Sequence, residues 1–316
     1  MPALPSLKQL KYLVALAEHL NFTRAAEASF VTQSTLSAGL KELETALGAR
    51  LVERDRQSVA LTPLGAEVAS RARSLIAQAE DLAELAAGAA APMTGTLRLG
   101  VIPTIAPFLL PNVLSELRAR YPKLKLALRE DLTATLLERM RAAQLDFALI
   151  ALPYDTGGML EETLFDDEFW LVGREDDPAL KHKRAVVNAP IAERLLLLEE
   201  GHCLREHTLA ACARAAKPNP SGFEATSLLT LVQMVESGLG LALLPEMALK
   251  SGVLAGTQLV ARPLAPPVPK RSIALLARPT TARKTEFETL AALIREAHAR
   301  GERKTRTSAG RRKAAR

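Results

Sequence analysis

The sequence predicts a multidomain α/β protein with an N-terminal winged helix-turn-helix, a long linker helix and a C-terminal α/β domain. Three observations support this architecture. Apolar residues at helical spacing fill residues 7–47, an apolar heptad begins at Leu61, and short apolar runs alternate with helical stretches over residues 95–300. A chain of 316 residues, 48% of them hydrophobic, is long enough for two or three such units.

The N-terminal unit, residues 1–62, has the pattern of a winged helix-turn-helix. Four leucines share one face of its third predicted helix: Leu36, Leu40, Leu43 and Leu47. Small polar side chains on the opposite face let a helix enter the major groove, and the following alternating stretch predicts a hairpin with arginines at its tip. A plain three-helix bundle is the alternative, because this unit is not strongly basic. The predicted DNA-binding residues are Thr32, Gln33, Ser34, Thr35, Ser37, Lys41, Arg54 and Arg56.

A linker helix and hinge occupy residues 63–92, with Thr62 as the N-cap and Pro63 at the first helical position. Apolar residues repeat every seven positions, and alanines beside them permit close contact with a second copy. Two paired chains place two reading helices on one duplex, so we expect the DNA site to be a spaced inverted repeat. The predicted seam consists of Leu61, Val68, Ala72, Leu75, Ala79, Leu82 and Ala86.

The C-terminal domain, residues 93–300, alternates strands with helices, which predicts a parallel sheet covered by helices. The predicted strands are Leu97–Ile102, Leu124–Leu128, Leu145–Ala151, Phe169–Val172, Leu195–Leu198, Leu239–Leu244 and Ile273–Ala277.

Cys203 and Cys212 are the only cysteines of the chain and lie nine residues apart. Nine residues of α-helix rise about 13.5 Å, whereas a disulfide requires Cα atoms within about 7 Å of each other. Oxidation can therefore join this pair only if the helix between them unwinds. On the residues alone, two buried packing cysteines are the alternative. A metal site that includes His202 and His207 is a further one, disfavoured because Cys212 lies on another helix face.

The first cysteine is placed where its thiol can ionise. Helix-start amides, His202 and Arg205 favour the thiolate, whereas three acidic residues oppose it: Glu199, Glu200 and Glu206. The net direction of the effect on the Cys203 pKa is therefore open at the level of sequence.

Residues 301–316 hold seven basic residues against Glu302, and this surplus equals the formal net charge of +6 of the whole chain. The segment is poor in apolar residues, so we expect a basic disordered tail that is either solvated or in contact with phosphates. No run approaches the roughly 18 apolar residues of a membrane span, and no signal peptide is evident. We therefore expect a cytoplasmic protein without membrane contact.

The N-terminal 92 residues resemble the DNA-binding and linker regions of LysR-type transcriptional regulators. Three motifs carry the resemblance: Phe22-Thr23-Arg24-Ala25-Ala26, Thr32-Gln33-Ser34-Thr35-Leu36-Ser37 and Leu61-Thr62-Pro63-Leu64-Gly65. Three further motifs are similar to the branch of this family that senses hydrogen peroxide: Gly201-His202-Cys203-Leu204-Arg205 with its second cysteine, Ile102-Pro103-Thr104 and Leu109-Leu110-Pro111.

The resemblance implies a C-terminal domain of two α/β subdomains, like a periplasmic binding protein. The first comprises residues 95–164 and 269–300, and the second residues 165–268. It also implies a peroxide pocket around Cys203, formed by Thr104, Thr133, His202, Arg205 and Arg278. Without the resemblance, the two threonines are equally well explained as helix caps and Arg278 as part of a surface ion pair.

The function implied by the resemblance is that of a redox-switched regulator of promoters. Its expected partners are double-stranded promoter DNA, RNA polymerase, hydrogen peroxide as effector and a thiol reductant of the glutaredoxin or thioredoxin type. We expect a homodimer, or a dimer of dimers, with no cofactor, no metal and no enzymatic activity. The alternatives are a LysR-type regulator that binds a small metabolite between its subdomains and, as a different class, a thiol peroxidase.

Overall fold

The structure is a computed structural model that describes residues 4–54, 59–88, 92–212 and 223–314. The chain forms two compact units, one built mainly from the first 91 residues and one mainly from residue 92 onward. Among the described residues, no helix combines the length and the apolar character that crossing a membrane requires.

The N-terminal unit is a winged helix-turn-helix, as predicted. Its helices and strands are α1 (Leu7–His19), α2 (Phe22–Ala28), α3 (Gln33–Leu47), β1 (Val52–Arg54), β2 (Val59–Leu61) and α4 (Pro63–Gly88). Strands β1 and β2 pair antiparallel as the wing. The leucine face of α3 forms the core together with α1, because Leu36, Leu40 and Leu43 pack with Leu13 and Leu16 and all five are buried.

Helix α4 begins as predicted, since Pro63 is its first residue and Thr62 Oγ1 accepts a hydrogen bond of 2.9 Å from the amide of Gly65. The predicted seam divides into two parts. Its first part packs on the core of the N-terminal unit, where Ala72 is buried. Further along, Leu75 and Leu82 are 49% and 68% exposed. Pairing of two copies through this exposed part remains a prediction.

The C-terminal unit consists of a mixed sheet with helices on its faces. Its strands are β3 (Gly95–Val101), β4 (Leu124–Glu130), β5 (Phe147–Leu152), β6 (Leu160–Arg174), β7 (Leu197–Leu198), β8 (Glu224–Ala225), β9 (Ala242–Pro245), β10 (Leu259–Pro263) and β11 (Lys270–Ala277). Its helices are α5 (Ala106–Arg120), α6 (Thr133–Arg141), α7 (Ala189–Ala192), α8 (Cys203–Cys212), α9 (Leu228–Glu236), α10 (Glu246–Lys250) and α11 (Lys284–Ala314).

The large sheet has the order β10-β6-β11-β5-β3-β4, with β9 also paired to β6. Only β3 pairs in parallel, with β4 and with β5, whereas β11, β9 and β10 pair antiparallel with their neighbours. The prediction of a parallel sheet therefore holds for β4-β3-β5 and for the separate pair β7-β8, and it is wrong for the other four pairings of the large sheet. A strand buried on both faces shows a continuous apolar run whatever the direction of its neighbours, so the sequence pattern does not record direction.

Strand β6 belongs to both halves of the sheet. Up to Glu168 it pairs with β11, and from Phe169 onward it pairs with β9 and β10. The change of partner lies four residues beyond the subdomain limit of 164/165 that the sequence suggested. The first half of β6 was not predicted as a strand, because it is rich in carboxylates, which are uncommon in strands.

Helix α11 continues through Ala314, so the prediction of a disordered tail over residues 301–316 is wrong as far as residue 314. Its first part packs on the sheet with Phe287, Leu290 and Ile294 buried. Arginine, lysine, alanine and glutamate are good helix formers, and extending an existing helix is far easier than nucleating a new one. These two effects explain why low apolar content did not end the helix.

Candidate redox site and nucleic-acid interface

Helix α8 begins at Cys203 and ends at Cys212, and both cysteines are free and buried. Gly201 precedes the helix with φ +96°, a left-handed conformation that favours glycine. A Cβ atom there would lie 3.0 Å from Leu132 Cδ1. This turn places Cys203 at the first helical position, where unpaired amides favour a negatively charged sulfur. The helix holds the two Cα atoms about 13.5 Å apart along its axis.

Two threonines approach the thiol of Cys203 from the neighbouring strands. Thr104 follows β3 and Thr133 opens α6 after β4, and each is 1% exposed. Because β3 and β4 are parallel, their carboxyl ends lie at one edge of the sheet, the usual position of a ligand site in α/β domains. Both predicted pocket threonines therefore lie beside Cys203. Apart from its interaction with Cys203, Thr133 Oγ1 is buried without a hydrogen-bond partner in the described structure.

The cation whose charge acts on this thiol is Arg271, which we did not predict from the sequence. Its side chain is 0% exposed and lies on β11 directly opposite Asp167 of β6. Arg271 Nε and Nη2 donate to Asp167 Oδ2 at 3.1 and 3.0 Å. Its Nη1 donates to Thr104 Oγ1 at 2.8 Å, and Nη2 also donates to the Thr104 carbonyl at 3.0 Å. The guanidinium is thus fixed next to the threonine that approaches Cys203.

The surroundings of Cys203 include groups that raise the pKa of its thiol and groups that lower it. Burial raises the pKa of the Cys203 thiol, and it outweighs the positive charge of Arg271, which lowers that pKa. The hydroxyls of Thr133 and Thr104 lower it further, because they stabilise the thiolate. Cys212 has no such compensation, and burial alone raises its pKa to about 11. The structure therefore distinguishes the two thiols, which the sequence could not do.

His202 and Arg205 flank Cys203 but make their contacts elsewhere. Burial lowers the pKa of His202, although Glu199 and the Thr226 carbonyl both favour its protonated form. Arg205 Nη1 donates to the Leu198 carbonyl at 2.9 Å and forms an ion pair of 2.5 Å with Glu224. Arg205 thus ties the start of α8 to β7 and β8 rather than facing the thiol.

Arg278 does not lie at this site. It follows the last residue of β11, whereas Arg271 lies near the first, which separates them by about 23 Å of extended strand. The charge of Arg278 acts instead on Asp146, at the opposite edge of the sheet. Strand β11 runs antiparallel to β5, so its beginning meets the edge that carries Thr104. The prediction of Arg278 as a pocket residue is therefore replaced by Arg271.

His207 is a second buried group that the sequence did not assign to the pocket. It is 7% exposed, and apart from the Pro153 carbonyl neither ring nitrogen has a hydrogen-bond partner among the described residues. Burial and the charge of Arg271 lower the pKa of His207 to about 4, against the influence of the Pro153 carbonyl. The ring is therefore neutral at pH 7 and lies one helical turn after Cys203. No cluster of three or more potential metal ligands occurs among the described residues.

A sequence signal for Arg271 existed. On β11 it shares one face with Ile273, Leu275 and Ala277, and these three residues are buried. An arginine on the inward face of a strand is rare unless it is paired, so its position alone suggested a specific role.

The predicted DNA-binding face lies at the start of α3. Thr32 is the N-cap, and its hydroxyl bonds to those of Ser34 and Thr35 at 3.0 and 2.8 Å. The side chains from Thr32 to Thr35 and that of Lys41 are exposed, and that of Ser37 is half-buried. Arg54 ends β1, but its side chain and all of Arg56 lie outside the described residues. An exposed polar helix start next to a wing suits contact with base edges and phosphates.

Comparison with protein families assigns both units. The model of the bacterial regulatory helix-turn-helix protein, lysR family, matches residues 7–66, and that of the LysR substrate binding domain matches residues 90–299. The chain belongs to the LysR family. Both cysteines of this LysR-type regulator lie within its substrate binding domain. The family assignment drawn from the sequence motifs is confirmed.

Individual relatives match along almost the whole chain. The HTH-type transcriptional regulator EstR of Acinetobacter baylyi is 44% identical over 295 residues, 93% of this chain and 98% of EstR. A probable hydrogen peroxide-inducible genes activator of Streptomyces viridosporus is 42% identical over 295 residues, 93% of this chain and 94% of that protein. The solved structure of a full-length OxyR from Pseudomonas aeruginosa, in which aspartate replaces one cysteine, has a TM-score of 0.79 at 35% identity, covering 93% of this chain and 95% of that one.

Proposed function

We propose that this LysR-type regulator senses hydrogen peroxide through a reversible disulfide between Cys203 and Cys212 and thereby controls oxidative-stress genes. The observation that carries the proposal is the asymmetry of α8. One of its two thiols lies against Arg271 and two hydroxyls, whereas the other is buried without such groups. The similarity to proteins named peroxide-inducible activator and OxyR supports the same function.

In the first step, the thiolate of Cys203 attacks one oxygen of the peroxide and the O–O bond breaks. The sulfur is oxidised to a sulfenic acid, and the other oxygen leaves as hydroxide, which takes up a proton to become water. Burial keeps most of the thiol protonated, so the reaction draws on the thiolate that Arg271 and the threonine hydroxyls stabilise. The buried hydroxyl of Thr133, which bonds no described group other than the Cys203 sulfur, can also bond the peroxide as it reaches that sulfur.

In the second step, the thiol of Cys212 attacks the sulfenic sulfur, and water leaves as the disulfide forms. The sulfurs cannot meet while α8 is intact, because the helix separates the two Cα atoms by about 13.5 Å. At least part of α8 must therefore unwind. A dithiol reductant of the glutaredoxin or thioredoxin type resets the switch by donating two electrons and two protons and becoming a disulfide itself.

Refolding of residues 203–212 would change DNA binding through the contacts between subunits. We propose a homodimer, or a dimer of dimers, in which the refolded segment repacks an interface and changes the spacing of the DNA-binding heads. Altered spacing changes contact with the promoter and with RNA polymerase. Since its DNA target is a bacterial promoter, we place the protein in the cytoplasm.

The experiment that tests this function combines mass spectrometry with footprinting. Protein treated with peroxide should lose two hydrogens, yield a peptide pair linked through Cys203 and Cys212, and change its footprint on promoter DNA. Treatment with a dithiol should restore both the mass and the first footprint. A linked protein whose footprint stays that of the reduced form would refute the switch.

A metabolite-binding regulator is the second candidate, because EstR, at 44% identity, carries a name without reference to peroxide. Substitution Cys203→Ser separates the two functions. A peroxide sensor loses its response with this variant, whereas a metabolite-binding regulator keeps a ligand-induced change in its footprint. We expect the response to be lost. We also expect peroxide consumption to stop at one equivalent per subunit unless a reductant is supplied, in contrast to a thiol peroxidase.

A further inference from the structure

The buried ion pair between Asp167 and Arg271 is the feature of this site whose role is least explained by packing. Both side chains are almost inaccessible, at 2% and 0% exposed. Strands β6 and β11 already pair through their backbones at these two residues. A buried ion pair generally stabilises a fold no better than apolar residues of the same volume. Its direct bond to Thr104, the neighbour of the thiol, therefore calls for a chemical explanation.

The donors of Arg271 are almost fully used. Of the five N–H groups of a guanidinium, two donate to Asp167 Oδ2 and two to the hydroxyl and carbonyl oxygens of Thr104. The fifth, on Nη1, has no partner among the described residues. The carboxylate of Asp167 is itself fixed, because its other oxygen accepts a hydrogen bond of 2.9 Å from the amide of Met247. A fixed carboxylate thus determines the orientation of the guanidinium.

This orientation determines the direction of the next hydrogen bond. Thr104 Oγ1 accepts from Arg271 Nη1 at 2.8 Å, so its own proton is directed away from the arginine. The same hydroxyl approaches Cys203 and favours a negatively charged sulfur. The groups therefore form an ordered series from carboxylate to guanidinium to hydroxyl to sulfur.

We propose that Asp167 is a positioning residue for Cys203: it orients Arg271, and through Arg271 the hydroxyl of Thr104, toward the reacting sulfur. This inference rests on the proposed function, since it concerns the thiol that peroxide oxidises. Without its carboxylate, the buried guanidinium loses its counterion and turns away or recruits water. The sulfur then loses both the nearby charge and the oriented hydroxyl.

The test measures the reactivity of Cys203 as a function of pH in a Cys212→Ser background, with two probes. Iodoacetamide reports the thiolate alone, and hydrogen peroxide reports sulfenic acid formation. For Asp167→Asn, the midpoint of the iodoacetamide profile should move to higher pH, and both rates at pH 7 should fall about tenfold or more. Other charged or titratable groups near the sulfur are His202, His207 and Arg271, and they are unchanged in this variant.

The matched control is Asp166→Asn, the same chemical change one residue earlier. Asp166 bonds to Lys270 and Ser272 at the surface, so this variant should leave the midpoint in place. Asp167→Glu keeps a carboxylate and should keep most of the reactivity. If Asp167→Asn does not fold, Asp167→Glu still tests the proposal. This variant keeps the negative charge, so a midpoint shift as large as the one expected for Asp167→Asn would contradict the proposal.

A double variant distinguishes positioning from a purely structural role. In an Arg271→Met background, Asp167→Asn should cause no further shift, because the aspartate acts only through the arginine. Removing both partners is also tolerated better than leaving one charge buried alone. A further shift in this background, or a midpoint that moves to lower pH for Asp167→Asn alone, would overturn the proposal.

Failure of the proposed function would look different. If wild-type protein resists peroxide but the iodoacetamide profile still depends on Asp167, peroxide sensing is wrong and the positioning role stands. If peroxide forms sulfenic acid and Asp167→Asn changes neither profile, the positioning role is wrong and peroxide sensing stands.

Discussion

The two ends of α8 carry the same side chain in different environments. Cys203 lies beside Arg271, Thr104 and Thr133, which partly compensate for its burial. Cys212 is 0% exposed, and burial raises its pKa to about 11 without any compensating group. The reactivity of a cysteine depends on how far its surroundings stabilise the thiolate, so only the first is suited to attack a peroxide. Cys212 stays protonated, and it can react with the oxidised Cys203 only after the helix opens.

This difference also orders the events. If both thiols were equally reactive, peroxide would oxidise either one and over-oxidation of an isolated sulfur would compete with disulfide formation. Under the proposed mechanism there is a single reactive sulfur, and we expect the sulfenic acid to form only at the start of α8. The opening of the helix then decides whether Cys212 reaches it.

The largest predicted effect comes from exchanging each cysteine for serine in turn. Cys203→Ser should abolish trapping of sulfenic acid by a dimedone-type reagent, because no reactive sulfur remains. Cys212→Ser should keep the first oxidation at its normal rate and accumulate the sulfenic acid. Labelling is followed by mass spectrometry of the peptide that contains each position. Equal labelling of both single-cysteine proteins would contradict the asymmetry.

Arg271→Met should produce the next largest effect. Loss of the neighbouring positive charge removes an interaction that lowers the pKa of Cys203, so less thiolate is present at neutral pH. We expect oxidation by peroxide at pH 7 to slow by roughly 100-fold and to recover as the pH rises. Stopped-flow measurement of the second-order rate across pH provides the check. Arg278→Met, at the other end of β11, is the matched control and should leave the rate unchanged.

These two arginines also show what the sequence can and cannot predict. The amphipathic face of α3, the N-cap Thr62 and the position of α8 between its cysteines follow from local spacing, and the structure confirms them. The choice between Arg271 and Arg278 depends on the direction of β11, which is set by a partner more than a hundred residues earlier in the chain. Local pattern contains no information on that pairing.

Asp167 illustrates a second limit. It lies within an acid-rich run, residues 161–168, in which five of the eight residues are acidic; this run has the composition of a loop but forms about half of β6. Pairing with β11 imposes the strand, and the inward direction of one carboxylate in that run follows from the sheet. Thr104 and Thr133 were predicted only through family resemblance, since the strand ends that bring them together are far apart in sequence.

The next prediction concerns His207, which lies on α8 between the two cysteines and whose protonation should destabilise the folded protein. Its pKa in the folded protein is about 4, below the ordinary value of roughly 6.5, because burial and Arg271 disfavour the charged ring. The unfolded chain therefore binds more protons, and stability present above pH 6.5 is lost as the pH falls toward 4. Urea unfolding should show that wild type loses about 2 kcal/mol more than His207→Gln between pH 7 and pH 5.

The control for this prediction is His182→Gln, which replaces an exposed histidine and should follow wild type at both pH values. Equal losses for wild type and His207→Gln would mean that the ring is protonated at little cost, and that it is not enclosed as the structure indicates.

The smallest predicted effect concerns the opening of α8. Arg205 joins the start of the helix to Glu224 by an ion pair whose side chains are 21% and 39% exposed. Partly exposed pairs contribute about 1 kcal/mol or less, so Glu224→Gln should ease the opening by no more than about fivefold. Since neither residue contacts the peroxide-reactive sulfur, the first oxidation should keep its rate, and only the conversion of sulfenic acid to disulfide should accelerate.

Quenched-flow sampling with mass spectrometry separates these two steps, and Asp176→Asn, which breaks the exposed pair with Arg174, controls for the loss of any surface ion pair. If Glu224→Gln changed the first step instead, Arg205 would act on Cys203 after all. The contrast between the two ends of α8 would then depend on the contacts of the whole helix start. If only the second step accelerates, reactivity at Cys203 and access of Cys212 are independently controlled, the first by Arg271 and the threonines and the second by the contacts that hold the helix closed.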